Sequence, residues 1–145
     1  MDKQQKQQLL DAMEKAICEK SFYEFFVRAF EIAEPSVPIS VNFHHKYLCD
    51  ILQAEAERIK ENKPKNKDII INIPFRSTKS LLVTVLFPAW CWAVYPKMRF
   101  ITASYSADIS IEHATKSRDI VQSEWYQKHW GETFHIKKDQ NLKAR

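Results

Sequence analysis

The residues best suited to chemistry lie in one short stretch, residues 76–80, with the sequence Arg-Ser-Thr-Lys-Ser. An isoleucine-rich run, 69–73, precedes it, and an apolar run, 81–86, follows it. This is the order of strand, polar loop, Lys-Ser and helix that cradles the phosphates of ATP in a P-loop. In that arrangement Lys79 would reach the β- and γ-phosphates from the helix N-terminus, and the Ser80 hydroxyl would hold Mg²⁺. The stretch therefore predicts a nucleotide-binding loop.

The predicted loop departs from the common P-loop pattern because it contains no glycine. Setting residues 79–80 on the last two places of G-x-x-x-x-G-K-[ST] puts Ile73 and Thr78 where the glycines belong. Glycine suits those places since the loop turns sharply and its N–H groups approach phosphate closely. Thr78 can still offer its N–H, and Arg76 adds a cation that can fork onto phosphate oxygens. The competing interpretation is a basic turn between a strand and a helix, with a merely solvated lysine.

The elements that must position this loop are a strand before it and a helix after it. Residues 68–73 form a run dominated by isoleucine, which predicts a strand buried on both faces in a parallel sheet. Residues 79–94 predict a helix with a bend at Pro88. The loop would then connect the end of a buried strand to the start of an apolar helix.

A second strand–helix pair follows. Residues 99–104 predict a strand, Ser106 can cap a helix over 107–122, and residues 134–136 can begin a third strand. Strand–helix–strand–helix with crossovers of this length is a βαβ arrangement. We therefore expect the α/β class for residues 63–145: a partial parallel sheet of the P-loop NTPase type, with helices on both faces.

Residues 1–62 predict an N-terminal helical segment. The first helix, 7–19, gathers its apolar side chains on one face. Ser21 can cap a second helix, with Glu24 at the capping-box position, and a third runs from about residue 44 to 60. We expect the second apolar face to pack onto the sheet and the third to point inward. The three faces consist of Leu9, Leu10, Met13, Ala16 and Ile17, then Phe22, Phe25, Phe26, Ala29, Phe30 and Ile32, then Tyr47, Leu48, Ile51, Leu52 and Ile59.

The composition is that of a globular domain, with 45% hydrophobic and 12% aromatic residues. A formal charge of +4, from 22 basic and 18 acidic residues, fits contact with a polyanion without arguing for it. Cys18, Cys49 and Cys91 are odd in number and far apart, which favours buried, reduced thiols in a cytoplasmic protein. The N-terminus has no apolar signal core, and the apolar run 81–94, interrupted by Pro88, is too short to span a bilayer.

Several ordered blocks of sequence, taken together, are more specific than the loop alone. Residues 74–80, Pro-Phe-Arg-Ser-Thr-Lys-Ser, resemble the Pro-Pro-Arg-x-x-Lys-Ser loop of tailed-phage terminase large subunits. Similarity to the N-terminal, ATP-binding part of that family covers most of the chain from Ser21 onward. The family tolerates lost glycines in this loop, so their absence does not count against nucleotide binding. The blocks are residues 21–25, 44–49, 71–80, 86–90, 99–106, 117–127 and 139–145.

The resemblance implies an ATPase lobe followed by a metal-dependent nuclease lobe, in a motor that drives double-stranded DNA into a capsid. It implies ATP and Mg²⁺ as cofactors, and double-stranded DNA, the small terminase subunit and the portal as partners. It also implies no membrane association, the cytoplasm of a bacterial host, and a homo-oligomeric ring only for the full-length protein. The implied nucleotide-binding residues are Arg76, Ser77, Thr78, Lys79, Ser80 and His45, with Ser80 also binding the metal.

The chain departs from the family in one further respect. The family's acidic motif, an apolar strand ending in Asp-Asp or Asp-Glu, lies downstream and is not found before Arg145. Asp68 precedes a predicted strand, and Asp108 and Glu112 lie on a predicted helix. Because phosphoryl transfer needs such a carboxylate, we expect a truncated N-terminal piece that binds nucleotide without sustained turnover, and we assign it no catalytic residue.

Other candidate residues have simpler alternatives. In the family a segment upstream of the loop contacts adenine, which makes His45 or Tyr47 a candidate; a capping or surface histidine is the alternative. Trp90, Trp92, Trp125, Tyr126 and Trp130 could stack on bases, but at helical spacing they are expected in the core. The basic residues Lys137, Lys138, Lys143 and Arg145 are either a solvated end or a contact to the DNA backbone.

Two alternatives to an ATP-binding function remain open at the level of sequence. The first is a non-catalytic adaptor or relic of the same lobe, which contacts DNA or protein without using ATP. The second is a basic α/β domain unrelated to nucleotides.

Overall fold

Helices account for all the regular secondary structure in the computed structural model, which describes residues 2–74, 76–134 and 136. Ser21 caps the second helix as predicted, because its Oγ accepts a hydrogen bond from the Glu24 N–H at 3.3 Å. The elements are α1 (Lys3–Lys20), α2 (Phe22–Ala33), α3 (Phe43–Lys60), a π-helix (Leu81–Leu86), α4 (Phe87–Val94), α5 (Ala107–Gln122) and α6 (Glu124–Trp130).

The predicted parallel sheet, and with it the α/β class, is wrong for the described part of the chain, which is all-helical. Residues 68–73 and 99–104, both predicted as strands, carry no regular secondary structure, and no backbone–backbone hydrogen bond joins them. Residues 134 and 136 are not in a strand either, and residue 135 of the third predicted strand lies outside the described residues.

The isoleucine-rich segment shows why the expectation failed. Ile69, Ile71 and Ile73 are half-buried against the helical core, whereas Ile70 between them is 91% exposed. Every second side chain therefore packs, as in a strand covered on one face only. An apolar run of this kind predicts burial on both faces, but the described residues supply helices on one side alone. Within the described ranges, no neighbouring strand completes a sheet with this segment.

An aromatic core joins α2, α4 and α6. The Phe22 and Trp90 rings lie 5.3 Å apart, and the Phe25 and Trp130 rings 5.6 Å apart. The Tyr126 hydroxyl donates a hydrogen bond of 2.9 Å to the Ala89 carbonyl, so the buried phenol is satisfied. The phenylalanine face of α2 is therefore buried as predicted, but against helices and not against a sheet. Trp90, Trp130 and Tyr126 are core residues, as expected from the sequence.

Helix α1 packs with the opposite face from the one its sequence indicates. Its acidic side chains face α6, where the Trp125 indole donates to Glu14 and the Trp130 indole donates to Glu19, each at 3.0 Å. Trp130 is almost fully buried, and a buried indole N–H needs an acceptor, which a carboxylate provides and an apolar side chain does not. The apolar face is left outside, with 42% to 52% of each large side chain exposed: Leu9, Leu10, Met13 and Ile17.

Helix α3 follows its predicted pattern only in part. Leu48 and Leu52 are buried as expected, but Tyr47 and Ile59 are 65% and 56% exposed, so their predicted inward position is wrong. No helix among the described residues combines the length and the apolar character needed to cross a bilayer.

The three cysteines are buried and free, as predicted. Burial raises the pKa of the Cys18 and Cys49 thiols to about 12, and it raises the pKa of Cys91 as well. All three are therefore protonated at neutral pH and act as small apolar groups of the core.

The helix after the loop accommodates Pro88 through a change of winding. Pro88 has no N–H and would crowd the carbonyl four residues earlier in a regular α-helix. The π-helix immediately before α4 widens that turn, and the N–H of Phe87 bonds to the Leu82 carbonyl, five residues back. The Ser117 hydroxyl of α5 donates to the Val85 carbonyl at 3.1 Å, which ties this turn to the next helix. The helix predicted over residues 79–94 thus changes from π to α winding just before Pro88, and the predicted bend there stays a prediction.

Candidate functional site

The backbone of the loop adopts two left-handed conformations. Arg76 has a φ of 63° and Thr78 a φ of 58°. For a residue other than glycine this conformation costs roughly 1–2 kcal/mol, and such strain concentrates at ligand clamps. Thr78 occupies the place where the P-loop pattern has glycine, so the backbone makes the turn that glycine normally permits.

Three side-chain hydrogen bonds hold the loop in this shape. The Ser77 hydroxyl donates to the Pro74 carbonyl at 2.6 Å, and the Thr78 hydroxyl donates to the Ser77 carbonyl at 2.7 Å. The His45 Nε2 lies 2.7 Å from the Thr78 hydroxyl oxygen, which links the loop to the first turn of α3. These bonds offset the cost of the left-handed residues, since side-chain bonds of this kind stabilise turns against competing conformations.

His45 is a buried residue of α3 that contacts the loop through Thr78. Its ring is 4% exposed, stacks on Phe26 at 5.4 Å, and accepts a hydrogen bond at Nδ1 from the Asn42 N–H at 3.0 Å. Burial, and then the neighbouring His44, lower its pKa, which favours the neutral ring. Since Nδ1 accepts, the proton resides on Nε2 and is donated to Thr78. This arrangement makes His45 a positioning residue, and the adenine contact expected of it stays a prediction.

The helix that follows the loop begins on the same side. Among the described residues, its first backbone hydrogen bond is donated by the Leu82 N–H to the Thr78 carbonyl at 2.9 Å. The N–H groups of residues 79–81 therefore precede the hydrogen-bond ladder, as at any helix start. They carry partial positive charge, and the helical run over residues 79–94 adds its dipole. A helix start of this kind favours anions.

The loop encloses a cavity of about 310 Å³. It brings together the five loop residues predicted from the sequence, including two cationic side chains, and no carboxylate is found among its described lining residues. Ser80 lies at the rim and also lines a larger neighbouring cavity that contains Glu112. The described residues contain no group of three or more His, Cys, Asp and Glu suited to a metal ion. The lining residues are Pro74, Arg76, Ser77, Thr78, Lys79, Ser80 and Leu81.

The structure separates the remaining candidates from this site. Tyr47 is largely exposed and does not line the loop cavity. The basic residues Lys137, Lys138, Lys143 and Arg145 lie outside the described part of the chain. Sequence analysis missed two residues that position the loop, Phe26 and Asn42. Asn42 was detectable, because asparagine directly before a predicted helix is a common N-cap, whereas the stacking of Phe26 on His45 has no local signal.

No family model, no curated protein and no solved structure matches this chain in the three comparisons made.

Proposed function

We propose that residues 76–80 bind the phosphate chain of a nucleotide, with ATP and Mg²⁺ as the ligands implied by the resemblance to terminases. One observation supports this most: Thr78 adopts a left-handed conformation at the glycine position of the P-loop pattern, directly before the start of a helix. A strained backbone, two cations and the N–H groups of a helix start converge on one small cavity, and each of them suits an anion.

The roles of the residues follow from their chemistry. Lys79 is a point charge at the helix start, suited to the outer phosphates, and Arg76 can fork onto phosphate oxygens. Ser77 and Thr78 contribute backbone N–H groups, while their hydroxyls maintain the shape of the loop. Ser80, exposed at the rim, would offer its hydroxyl to Mg²⁺. When bound, the metal would neutralise phosphate charge. The described lining includes no carboxylate to activate water, so the proposal covers binding and not hydrolysis.

In its wider form, the proposal is that this chain corresponds to the N-terminal, ATP-binding part of a phage terminase large subunit. Its partners would then be double-stranded DNA, the small terminase subunit and the portal, in the cytoplasm of a bacterial host. Because the described residues form no sheet, this wider proposal rests on the loop and on the sequence blocks, and not on the fold.

Equilibrium titration with Mg·ATP tests the proposal. We expect saturable binding to the wild-type chain, and a loss of at least about tenfold in affinity for Lys79→Ala, because a hydrogen bond to a charged group contributes about 1.5–3 kcal/mol. Lys97→Ala is the matched control, since Lys97 is exposed and does not line the loop cavity. Absence of binding to the wild-type chain at millimolar ATP would reject the proposal.

A second candidate function, a non-catalytic adaptor, is favoured by helix α1. Leu9, Leu10, Met13 and Ile17 form an exposed apolar face on a helix that docks through its acidic side. Exposed apolar faces of this kind mark protein contacts. If the chain is an adaptor, Mg·ATP should not bind to it. Met13→Lys should then abolish association with a protein partner and leave the melting temperature unchanged. Nucleotide binding lost in Lys79→Ala and kept in Met13→Lys would favour the first proposal.

A further inference from the structure

A second cavity, of about 510 Å³, lies away from the phosphate loop, among α4, α5 and residues 99–104. Its volume is typical of sites for small organic ligands, which usually run from about 300 to 1,000 Å³. Pro88 and Trp92 contribute from α4, Phe100 from the irregular segment, and Ala114 and Arg118 from α5. None of the five loop residues lines it, so it is a separate site.

The aromatic wall of this cavity is fixed in place. The Trp92 indole donates to the Met98 carbonyl at 3.1 Å, which sets the orientation of the ring. Phe134 stacks on Trp92 with ring centroids 5.3 Å apart and planes 6° apart. Phe100 meets the same indole edge-on, at 5.8 Å and 84°. A ligand ring would therefore meet a preformed apolar surface, which lowers the ordering cost of binding.

The opposite wall carries the positive charge of Arg118. Arg118 is half-buried and makes no hydrogen bond or ion pair with any residue in the described part of the chain. The next cation on α5 is different, since Lys116 pairs with Glu34 at 2.9 Å and Glu112 at 3.2 Å. His113 also lines the cavity, and no acidic residue is found among its described lining residues. The polar end of a ligand that fits this wall is an anion.

We propose that this cavity binds a small aromatic anion, with its ring system against Trp92 and Phe100 and its carboxylate or sulfonate on the Arg118 guanidinium. The two features that specify the ligand lie on different elements: α4 and the irregular segment provide the apolar surface, and α5 provides the charge. A planar carboxylate can accept two parallel hydrogen bonds from a guanidinium, which orients the ring into the cavity. This inference is independent of the phosphate loop.

Two fluorescent probes of similar size and different charge test it. The anion 8-anilinonaphthalene-1-sulfonate should bind saturably with one site per chain, and the neutral N-phenyl-1-naphthylamine at least about tenfold more weakly. Arg118→Gln should weaken the anionic probe about tenfold and leave the neutral probe unchanged. Arg99→Gln is the matched control, because Arg99 is exposed and does not line the cavity. It should alter neither affinity.

A cavity-filling variant locates the probe independently of charge. Ala114 is exposed on α5 and lines the cavity, so Ala114→Leu keeps a good helix former and adds three side-chain carbon atoms at the mouth of the cavity, outside the core. It should abolish binding of the anionic probe, while Lys79→Ala or added ATP should not change it. Equal binding of the two probes, no saturable binding to the wild-type chain, or binding unaffected by both α5 variants would each overturn the proposal.

Discussion

Two loops in this chain each connect an irregular segment to the start of a helix. They differ in backbone conformation, in charge and in contacts to the rest of the fold. The first, residues 74–80, has two left-handed residues, two cations and a hydrogen bond to buried His45. The second, residues 104–106, has no cation, and within it the Ser106 N–H lies 3.5 Å from the Ser104 Oγ. Tyr105 in its centre is 95% exposed.

The helices that follow the two loops also differ in the charge of their first turn. Lys79 begins the helix after the first loop, whereas α5 after the second has Asp108 in its first turn. A carboxylate there complements the helix dipole internally and repels a phosphate, while a lysine leaves the dipole available and adds to it. The two loops share the order of their elements, and local charge and backbone constraint are what distinguish the loop proposed to bind phosphate from the other.

Reversing the charge of the first loop should have the largest effect. In Lys79→Glu one attractive contact is removed and a repulsive one is introduced, so the affinity for Mg·ATP should fall by about 100-fold or more. Isothermal titration calorimetry measures this change. Lys97→Glu, at an exposed lysine outside the loop, should bind as the wild type does; equal losses in both variants would mean that only overall charge matters.

Removing the link between the loop and α3 should destabilise the protein by about 1–3 kcal/mol. Thr78→Val keeps the size and branching of the side chain but leaves the buried Nε2–H of His45 without its acceptor. Urea unfolding followed by circular dichroism gives the free energy of unfolding. A change below about 0.5 kcal/mol would show that the His45 contact does not hold the loop.

Acidification should lower the stability of the protein through His45, which supports the first loop. The pKa of His45 is lowered below its ordinary value of 6.5 by burial and by His44, whose ring lies 4.0 Å away. Below pH 6.5 the unfolded chain therefore binds more protons at this position than the folded chain, so stability falls as the pH drops towards the folded pKa. Melting temperatures across this range should fall less for His45→Gln than for the wild type. If the melting temperatures of the two proteins fell in parallel with pH, protonation of His45 would not be the cause of the loss of stability.

Changing the second loop should have the smallest effect. Ser104→Ala removes one long contact on an exposed segment, so we expect a change within about 0.5 kcal/mol in the free energy of unfolding, and no change in nucleotide affinity. Urea unfolding and titration with Mg·ATP measure these two quantities. A loss of nucleotide affinity here would remove the distinction between the two loops.

The sequence was sufficient for local features and insufficient for long-range packing. The α5 bounds, the Ser21 cap, the buried cysteines and the phenylalanine face of α2 all follow from periodicity and capping rules, and all are present. The five loop residues were identified by type and spacing, and they line one cavity. Their left-handed conformations were not predictable, because they depend on contacts such as the one from His45, 33 positions earlier.

The failures share a physical cause, which is that apolar periodicity does not specify what an element packs against. The apolar residues of α1 were predicted to share one face, but the pattern did not indicate that this face would be exposed while the acidic side packs on α6, where Glu14 and Glu19 accept from the indole N–H groups of Trp125 and Trp130. The run 69–73 predicted a sheet, but the described residues cover only one of its faces. In both cases a partner distant in sequence decided the outcome.

The most direct test of the phosphate-binding proposal is a titration of the ¹⁵N-labelled protein with Mg·ATP, followed by amide chemical shifts. The account predicts saturable shifts concentrated at residues 76–81, where left-handed turns meet the N–H groups of the helix start, and none beyond noise at residues 104–108. Shifts of equal size at both helix starts, or none at residues 76–81 at millimolar ATP, would contradict it.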